Sequence, residues 1–560
     1  MAIAYPTSPT FSASFYCIRR ESPVGLAQFP SIALSHTRRT VARIHPLAHR
    51  LAVSSRLNST TPSGAGGSVS PDNGDLQYEL FHGFSPQRRT GSPVYVMLPV
   101  DAVGPDGLVR RRKAMLQSFR ALALAGVEGV VMEVWWGLVE RKRPMVYEWK
   151  GYSEIVELAR KCGLKVRAVM AFHQCGTSPD EPHWIPLPLW VLEEIDKDPD
   201  IAYCDRFGRR NMEYISLGCD TLPVLRGRSP IQAYSDFMRN FRDTFRPSLG
   251  VIITGIQVGM GPDGELRYPS CPSRMMTWAW RFRELGEFQC YDKYMLASLN
   301  ACARKVGMRE WGDGGPLGTG SLMHNPEFTE FFNSYTGSWR TPYGEFFLEW
   351  YSRMLLMHGE RICREAETIF RGTKVNTSAK VAAIHWHYKK QSHPSELTAG
   401  YYNTGSRDGY LPIARMFARY GFTLCCSCFE MKDVEEKPVH PFSSPEGFLM
   451  QLLWAARRCD VPLQGENSGA NLDDSSFEQI VKMAKFYSGG IEKPSFSFNF
   501  VRMQKNMFEY NNWHRFTNFV RQMSSGDIFR AKLESGGDIN HCPSFILSDA
   551  AKVGIAFTYC

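Results

Sequence analysis

Val94-Tyr-Val-Met-Leu-Pro99, a stripe at Met115, Phe119 and Leu122, and then Gly129-Val-Val-Met-Glu-Val-Trp135 carry the reading on which the fold turns. The two outer runs are short and apolar on successive residues. That pattern suits parallel strands covered on both faces. The stripe between them returns every three or four residues, as on a helix with one buried face. Strand, helix, strand is the repeating unit of an α/β fold.

The alternation continues outward. Val166–Phe172, Val251–Val258, Val381–Trp386, Thr423–Cys428, Val461–Gly465 and Phe496–Arg502 bring the apolar runs to eight. Ser229-Pro230 opens a helical segment with apolar residues at Ile231, Tyr234, Met238, Phe241 and Phe245, and Phe347, Trp350, Met354 and Met357 repeat the spacing. Eight strand–helix units predict a (β/α)8 barrel of the TIM type with long loops at its C-terminal face. A doubly wound sheet fits the pattern alone almost as well. The long connections after Phe172 and Val258 read as insertions at strand ends, where barrel enzymes build their sites.

Composition narrows the function classes. Seven arginines against one glutamate up to Pro71 account for six of the nine net positive charges. The remainder has no basic run for nucleic acid and no eighteen-residue apolar stretch for a membrane. The Ser/Thr/Ala/Arg-rich, acid-poor start predicts a plastid transit peptide and linker over residues 1–75, a barrel domain over 93–523 and a tail over 524–560. Fifteen cysteines without metal-ligand spacing read as buried thiols, with no structural disulfide and no zinc site expected. The aromatic content, 13%, serves core packing first and stacking on sugar rings second. A monomer is expected.

Barrel chemistry sits where strands end. The polar residues at or near the ends of the eight runs are Glu133, His173, Glu265, Lys380 with His385, Glu430, Glu466 and Arg502. Carboxylates gathered over one mouth suggest glycosidic cleavage, in which one acid protonates the leaving oxygen and another activates water or attacks the sugar. Glu265 lies in Gly259-Met-Gly-Pro-Asp-Gly-Glu-Leu-Arg-Tyr-Pro-Ser270. By its residues alone it reads first as a solvated loop side chain. Glu466, ending the strand-like Leu463-Gln-Gly-Glu-Asn467, needs a partner or a task. His173 and His385, each taken singly, read as core histidines.

Val134-Trp-Trp-Gly137, Phe172-His-Gln-Cys-Gly176, Gly261-Pro-Asp-Gly-Glu-Leu-Arg-Tyr-Pro-Ser270, Phe288-Gln-Cys-Tyr-Asp-Lys-Tyr294, Ile384-His-Trp386, Glu396-Leu-Thr-Ala-Gly-Tyr-Tyr-Asn403 and Gly465-Glu-Asn467 occur in that order. With these markers the chain resembles the plant β-amylases, inverting exo-acting α-1,4-glucan hydrolases, from about Val94 to Met523. The resemblance implies a starch-type glucan substrate, maltose released from non-reducing ends, and no cofactor. It implies Glu265 as general acid and Glu466 as general base. It also implies that His173, Lys380, His385, Asn467 and Arg502 hold the glucose units, beneath a lid after His173 and an inner loop around Ser427.

The mouth departs from the family pattern. Glu133 stands where the family has Asp. The lid reads Gly176-Thr-Ser-Pro-Asp-Glu181 in place of Gly-Gly-Asn-Val-Gly-Asp, which puts Glu181 at the closing Asp and stiffens the turn through Pro179. Ser427 replaces Thr, Ser468-Gly469 replaces Ala-Leu, Cys271 replaces a Tyr, and Arg281-Phe-Arg-Glu-Leu-Gly286 is altered. Glu133, Glu181, Ser427 and Ser468 remain candidate substrate contacts. Two readings follow: hydrolysis of α-1,4-glucans, or a plastid protein that binds such chains and regulates without cutting them.

Overall fold

Eight parallel strands form a ring: β1 (Val94–Met97), β2 (Gly129–Trp135), β3 (Lys165–Ala171), β4 (Ile253–Val258), β5 (Asn376–Lys380), β6 (Thr423–Cys426), β7 (Leu463–Glu466) and β8 (Phe496–Phe500). The last strand pairs with the first, Val94 opposite Phe498, so the sheet closes on itself. Closure removes the free edge that an open sheet would expose. These observations come from a computed structural model. It describes residues 91–526 apart from 177, 182, 271–285, 321–323, 439, 470 and 489–495. The expected leader, nearly all of the expected tail, Cys271 and residues 281–285 lie outside the described residues.

Seven of the eight strands fall on the apolar runs. The fifth does not: it is Asn376–Lys380, ahead of the expected Val381–Trp386. Asn376-Thr-Ser-Ala-Lys380 is polar at its start, where Asn376 is exposed and Thr377 half-buried. Val381, Ala382 and Ala383 are fully buried; Val381 N–H makes the last bond to β6, donating to the Cys425 carbonyl at 2.9 Å, and Ala382 N–H turns to the Tyr401 hydroxyl at 2.9 Å. Hydropathy marked burial there, not pairing. The connection after β3 also holds a short antiparallel hairpin, Ala202–Cys204 against Arg210–Ile215, that carried no periodic signal.

The helices form where the stripes lie. Arg112–Leu124 buries Met115, Phe119 and Leu122, each worth about 1.5–3 kcal/mol against exposure. Pro230–Thr244 starts at a capping box, with the Ser229 hydroxyl accepting from Gln232 N–H and the Gln232 side chain accepting from Ser229 N–H. Pro342–Phe370 buries Phe347, Trp350 and Met354. Trp136, in the Val134-Trp-Trp-Gly137 marker, packs edge-on against Phe172, Trp190 and Tyr234. Gly137 is needed there for space: a Cβ would lie 1.8 Å from the Pro186 carbonyl oxygen. The large aromatics of this wall are core, not sugar platforms.

Candidate active site

The segment after β4 places Glu265 by a tight turn. Pro262–Gly264 makes one 3-10 turn, with Asp263 and Gly264 both at positive φ. Beyond the turn the chain rejoins the barrel: Leu266 N–H donates to the Lys380 carbonyl at 2.8 Å. Arg267 then reaches back, donating from Nε to Glu265 Oε2 at 2.9 Å and from its terminal nitrogen to Asp263 Oδ2 at 2.6 Å. Glu265 is therefore 0% exposed, which overturns its reading as a solvated loop side chain. The i, i+2, i+4 spacing of Asp263, Glu265 and Arg267 was the available signal for this clamp.

Glu466 ends β7 and Lys380 ends β5; both are buried. The Lys380 ammonium lies 3.0 Å from Glu466 Oε2 and 3.5 Å from Glu265 Oε1, and those contacts cap the separation of the two oxygens at their sum, about 6.5 Å. The span that fits a sugar and a water between an inverting pair is roughly 6.5–9.5 Å, so the shared ammonium holds these two oxygens at its short limit or closer. Glu265 Oε1 makes no hydrogen bond. Glu466 Oε1 accepts from Asn499 Nδ2 at 3.0 Å, because the register of β7 and β8 sets the two residues side by side. Burial alone would raise the pKa of Glu466; the Lys380 charge and the Asn499 and Cys425 donors outweigh it and hold the carboxyl below its ordinary value.

Most of the remaining expected residues lie on the segments that follow the strands. His173 follows β3; its ring meets Trp135 edge-on at 5.1 Å, and its Nδ1 is buried without a hydrogen bond. Burial, then the Arg267 and Lys380 charges, push it down to about 3, so it is neutral. His385 is held by Ser443 at 2.8 Å through Nδ1, leaves Nε2 buried without a hydrogen bond, and is likewise pushed down to about 3 by burial and His440. The buried hydroxyls of Ser427 and Ser468 also lack partners. Such atoms are costly in a finished core and are usual where a polar ligand belongs. Asn467 is committed to the backbone, accepting from Val501 N–H at 2.7 Å and donating to the Gly469 and Val501 carbonyls. Glu181 is half-buried in the connection after β3, its N–H donating to the Ser178 carbonyl at 3.0 Å.

Glu133 differs from expectation. It sits inside β2, not at its end, and both its oxygens are taken by Arg502, at 2.8 and 3.2 Å. Arg502 also donates to the Leu98 carbonyl at 2.8 Å. The two substrate-side expectations thus form one ion pair.

Glu430 ties the inner loop to the segment after Glu466. Its Oε1 accepts from Ser468 N–H at 2.7 Å and from Gly469 N–H at 2.6 Å. Burial still pushes its carboxyl from 4.5 up to about 7. A folded value above the unfolded one means stability that is complete at low pH and falls as pH rises. The contribution of Glu430 to wild-type stability should therefore be lost between about pH 4.5 and about pH 7. Glu430→Gln keeps an oxygen for both backbone donors and cannot ionise, so its urea midpoint gains on wild type across that window. A midpoint difference that is constant with pH would discard this account.

Relatives agree with the barrel and the markers. The sequence profile of glycosyl hydrolase family 14 matches residues 95–528. Beta-amylase 1, chloroplastic, of Arabidopsis thaliana is 51% identical over 474 residues, which cover 84% of this chain and 82% of that one. Beta-amylase 2, chloroplastic, of Oryza sativa subsp. japonica is 50% identical, covering 83% and 84%. The beta-amylase of Glycine max is 40% identical, covering 83% and 92%. Among solved structures, the catalytic domain of the Paenibacillus polymyxa beta-amylase aligns with a TM-score of 0.62 at 24% identity, over 78% of this chain and 99% of that one. A closed parallel barrel with carboxylates at its strand ends, matched by one profile over nearly all its length, has one assignment: the chain belongs to glycosyl hydrolase family 14.

Proposed function

We propose that this protein is a β-amylase that hydrolyses α-1,4-glucosidic bonds of starch-type glucans and releases maltose from non-reducing ends with inversion. One observation carries the mechanistic reading: a single buried ammonium, Lys380, stands between two buried carboxyl groups, Glu466 at the end of β7 and Glu265 on the segment after β4. Glu265 is the general acid. Arg267 anchors its Oε2, and Oε1, in the longer 3.5 Å contact with Lys380, is the oxygen that delivers the proton to the leaving sugar. Glu466, held ionised by Lys380 and Asn499, takes the proton from the attacking water. Both proton transfers fall to carboxyl groups, so the chemistry calls for no metal or organic cofactor. His173, His385, Ser427 and Ser468 offer unsatisfied polar atoms to sugar hydroxyls. Asn467 and the Glu133–Arg502 pair support the walls, and Glu181 belongs to the closing lid.

The plastid is the proposed compartment. Support comes from the arginine-rich, acid-poor composition of residues 1–75 and the chloroplastic names of the relatives. The proposed organisation keeps that leader, a catalytic barrel over 93–523 and a tail over 524–560, in a monomer.

The direct test is release of reducing sugar from soluble starch by wild type beside Glu466→Gln. Maltose from wild type and none from the variant is the expected result. A wild type that is protected from thermal unfolding by maltose yet releases none would move the assignment to the glucan-binding regulatory alternative.

A further inference from the structure

Beneath Glu466 lies a polar chain that the reaction itself does not require. Asn499 Nδ2 donates to Glu466 Oε1 at 3.0 Å, and Asn499 Oδ1 accepts from Arg167 at 2.7 Å. Arg167 is a half-buried guanidinium on β3. Its second terminal nitrogen donates to the Ser497 hydroxyl at 2.9 Å, and its carbon lies 3.6 Å from the centre of the Tyr95 ring. Four strands, β1, β3, β7 and β8, thus meet around one amide.

The two ends of a carboxamide differ chemically: the oxygen only accepts and the nitrogen only donates. Glu466 as a carboxylate can only accept, and Arg167 can only donate. Rotating the Asn499 amide by a half-turn would set oxygen against oxygen and N–H against N–H. Arg167 therefore decides which end faces the carboxylate. We propose that Arg167 and Asn499 act as positioning residues for Glu466, the guanidinium locking the amide so that one fixed N–H is always aimed at Oε1. The inference rests on the reading of Glu466 as general base and extends it to how that base is kept ready.

Other groups also face Glu466. Lys380 approaches from β5, the Cys425 thiol donates from β6 with Cys426 beside it, Arg167 acts from β3, and Glu265 lies beyond Lys380. Lys380 supplies charge at Oε2, whereas the amide gives Oε1 a neutral, directional donor. Removing it takes that donor from a buried carboxylate, and the carboxyl then takes up a proton at higher pH.

The experiment has two arms on the full chain. In the first, the pH dependence of kcat/KM on soluble starch is measured, its acid limb reporting the free enzyme's base. Asn499→Leu should move that limb up by about one pH unit, the worth of a hydrogen bond to a charged group. Arg167→Leu should move it in the same direction, and Arg167→Lys, which keeps a donor, should restore it. An acid limb left at the wild-type position by Asn499→Leu overturns the proposal.

The second arm needs no activity. A lowered Glu466 adds stability above its unfolded value that is lost as pH falls through the folded value. The urea-midpoint difference between wild type and Asn499→Leu should therefore widen from about pH 4 to about pH 7. In a Glu466→Gln background it should stay flat. The same pH dependence in both backgrounds, or none in either, overturns the relay. A chain that cuts no starch fails the catalytic reading alone, and the second arm still judges the relay.

Discussion

Glu265→Gln should retain the barrel and lose starch hydrolysis by on the order of a thousandfold or more, the scale of a positioned general acid. The side chain is fully buried, and Arg267 donates to its Oε2. A glutamine oxygen can keep that bond, so the change removes the transferable proton with little disturbance of shape. The loss should depend on the leaving group. Starch needs its departing oxygen protonated, whereas a maltosyl fluoride releases fluoride, which leaves without that help. Glu265→Gln should therefore retain most of its rate on the fluoride. Glu466→Gln, which cannot activate water, should lose both substrates. Wild-type turnover of starch by Glu265→Gln, or equal losses on the two substrates, would remove the residue from its role.

Lys380→Met carries the largest expected effect on stability. Its ammonium lies between two carboxyl groups that are themselves inaccessible to water, and Glu466 is the one it approaches more closely. Taking away one partner of a buried ionic cluster costs about 3–5 kcal/mol, because the charges left behind are uncompensated. Arg267 still balances Glu265, but Glu466 loses its nearest cation. The carboxyl of Glu466 must then rise, and the sign of the pH dependence follows. In wild type the depressed Glu466 contributes stability at neutral pH that fades as pH falls. In the variant ionisation is opposed, so stability falls as pH rises through the raised value. The gap between the two urea midpoints should be widest near neutral pH and narrow toward about pH 4. Starch hydrolysis should fall at the same time, because the shared cation holds the acid and the base in one geometry. A gap that does not change with pH would show that Lys380 serves packing rather than charge.

The fifth strand and Glu265 show where a reading along the chain stops. Val381–Trp386 is more apolar than Asn376–Lys380, yet the polar segment forms the strand. A barrel strand needs backbone partners on both sides, and Asn376–Ser378 find them opposite Gly255–Gln257 of β4, while Ser378–Lys380 lie opposite Thr423–Cys425 of β6. Side-chain hydropathy carries no record of that pairing. Glu265 follows two glycines and a proline, which signal an irregular turn but not its depth. Its burial comes from Lys380 and Arg267 converging on it, one of them more than a hundred positions away. Asn499, in Phe496-Ser-Phe-Asn-Phe500, drew no reading from the sequence, because its partner Arg167 lies on β3.

The resemblance carried by the ordered motifs implied the roles of Glu265 and Glu466 and decided for a barrel over a doubly wound sheet, whereas periodicity by itself specified the strand–helix units and the turns between them. These properties are local, since amphipathic faces and turn residues are written within a dozen positions. The sharing of one ammonium by two carboxylates, the capture of Glu133 by Arg502 and the orientation of the Asn499 amide were settled only by folding. They depend on distances of about 3 Å between residues on different strands, and an ionisable group takes its character from those neighbours and from the absence of water around them.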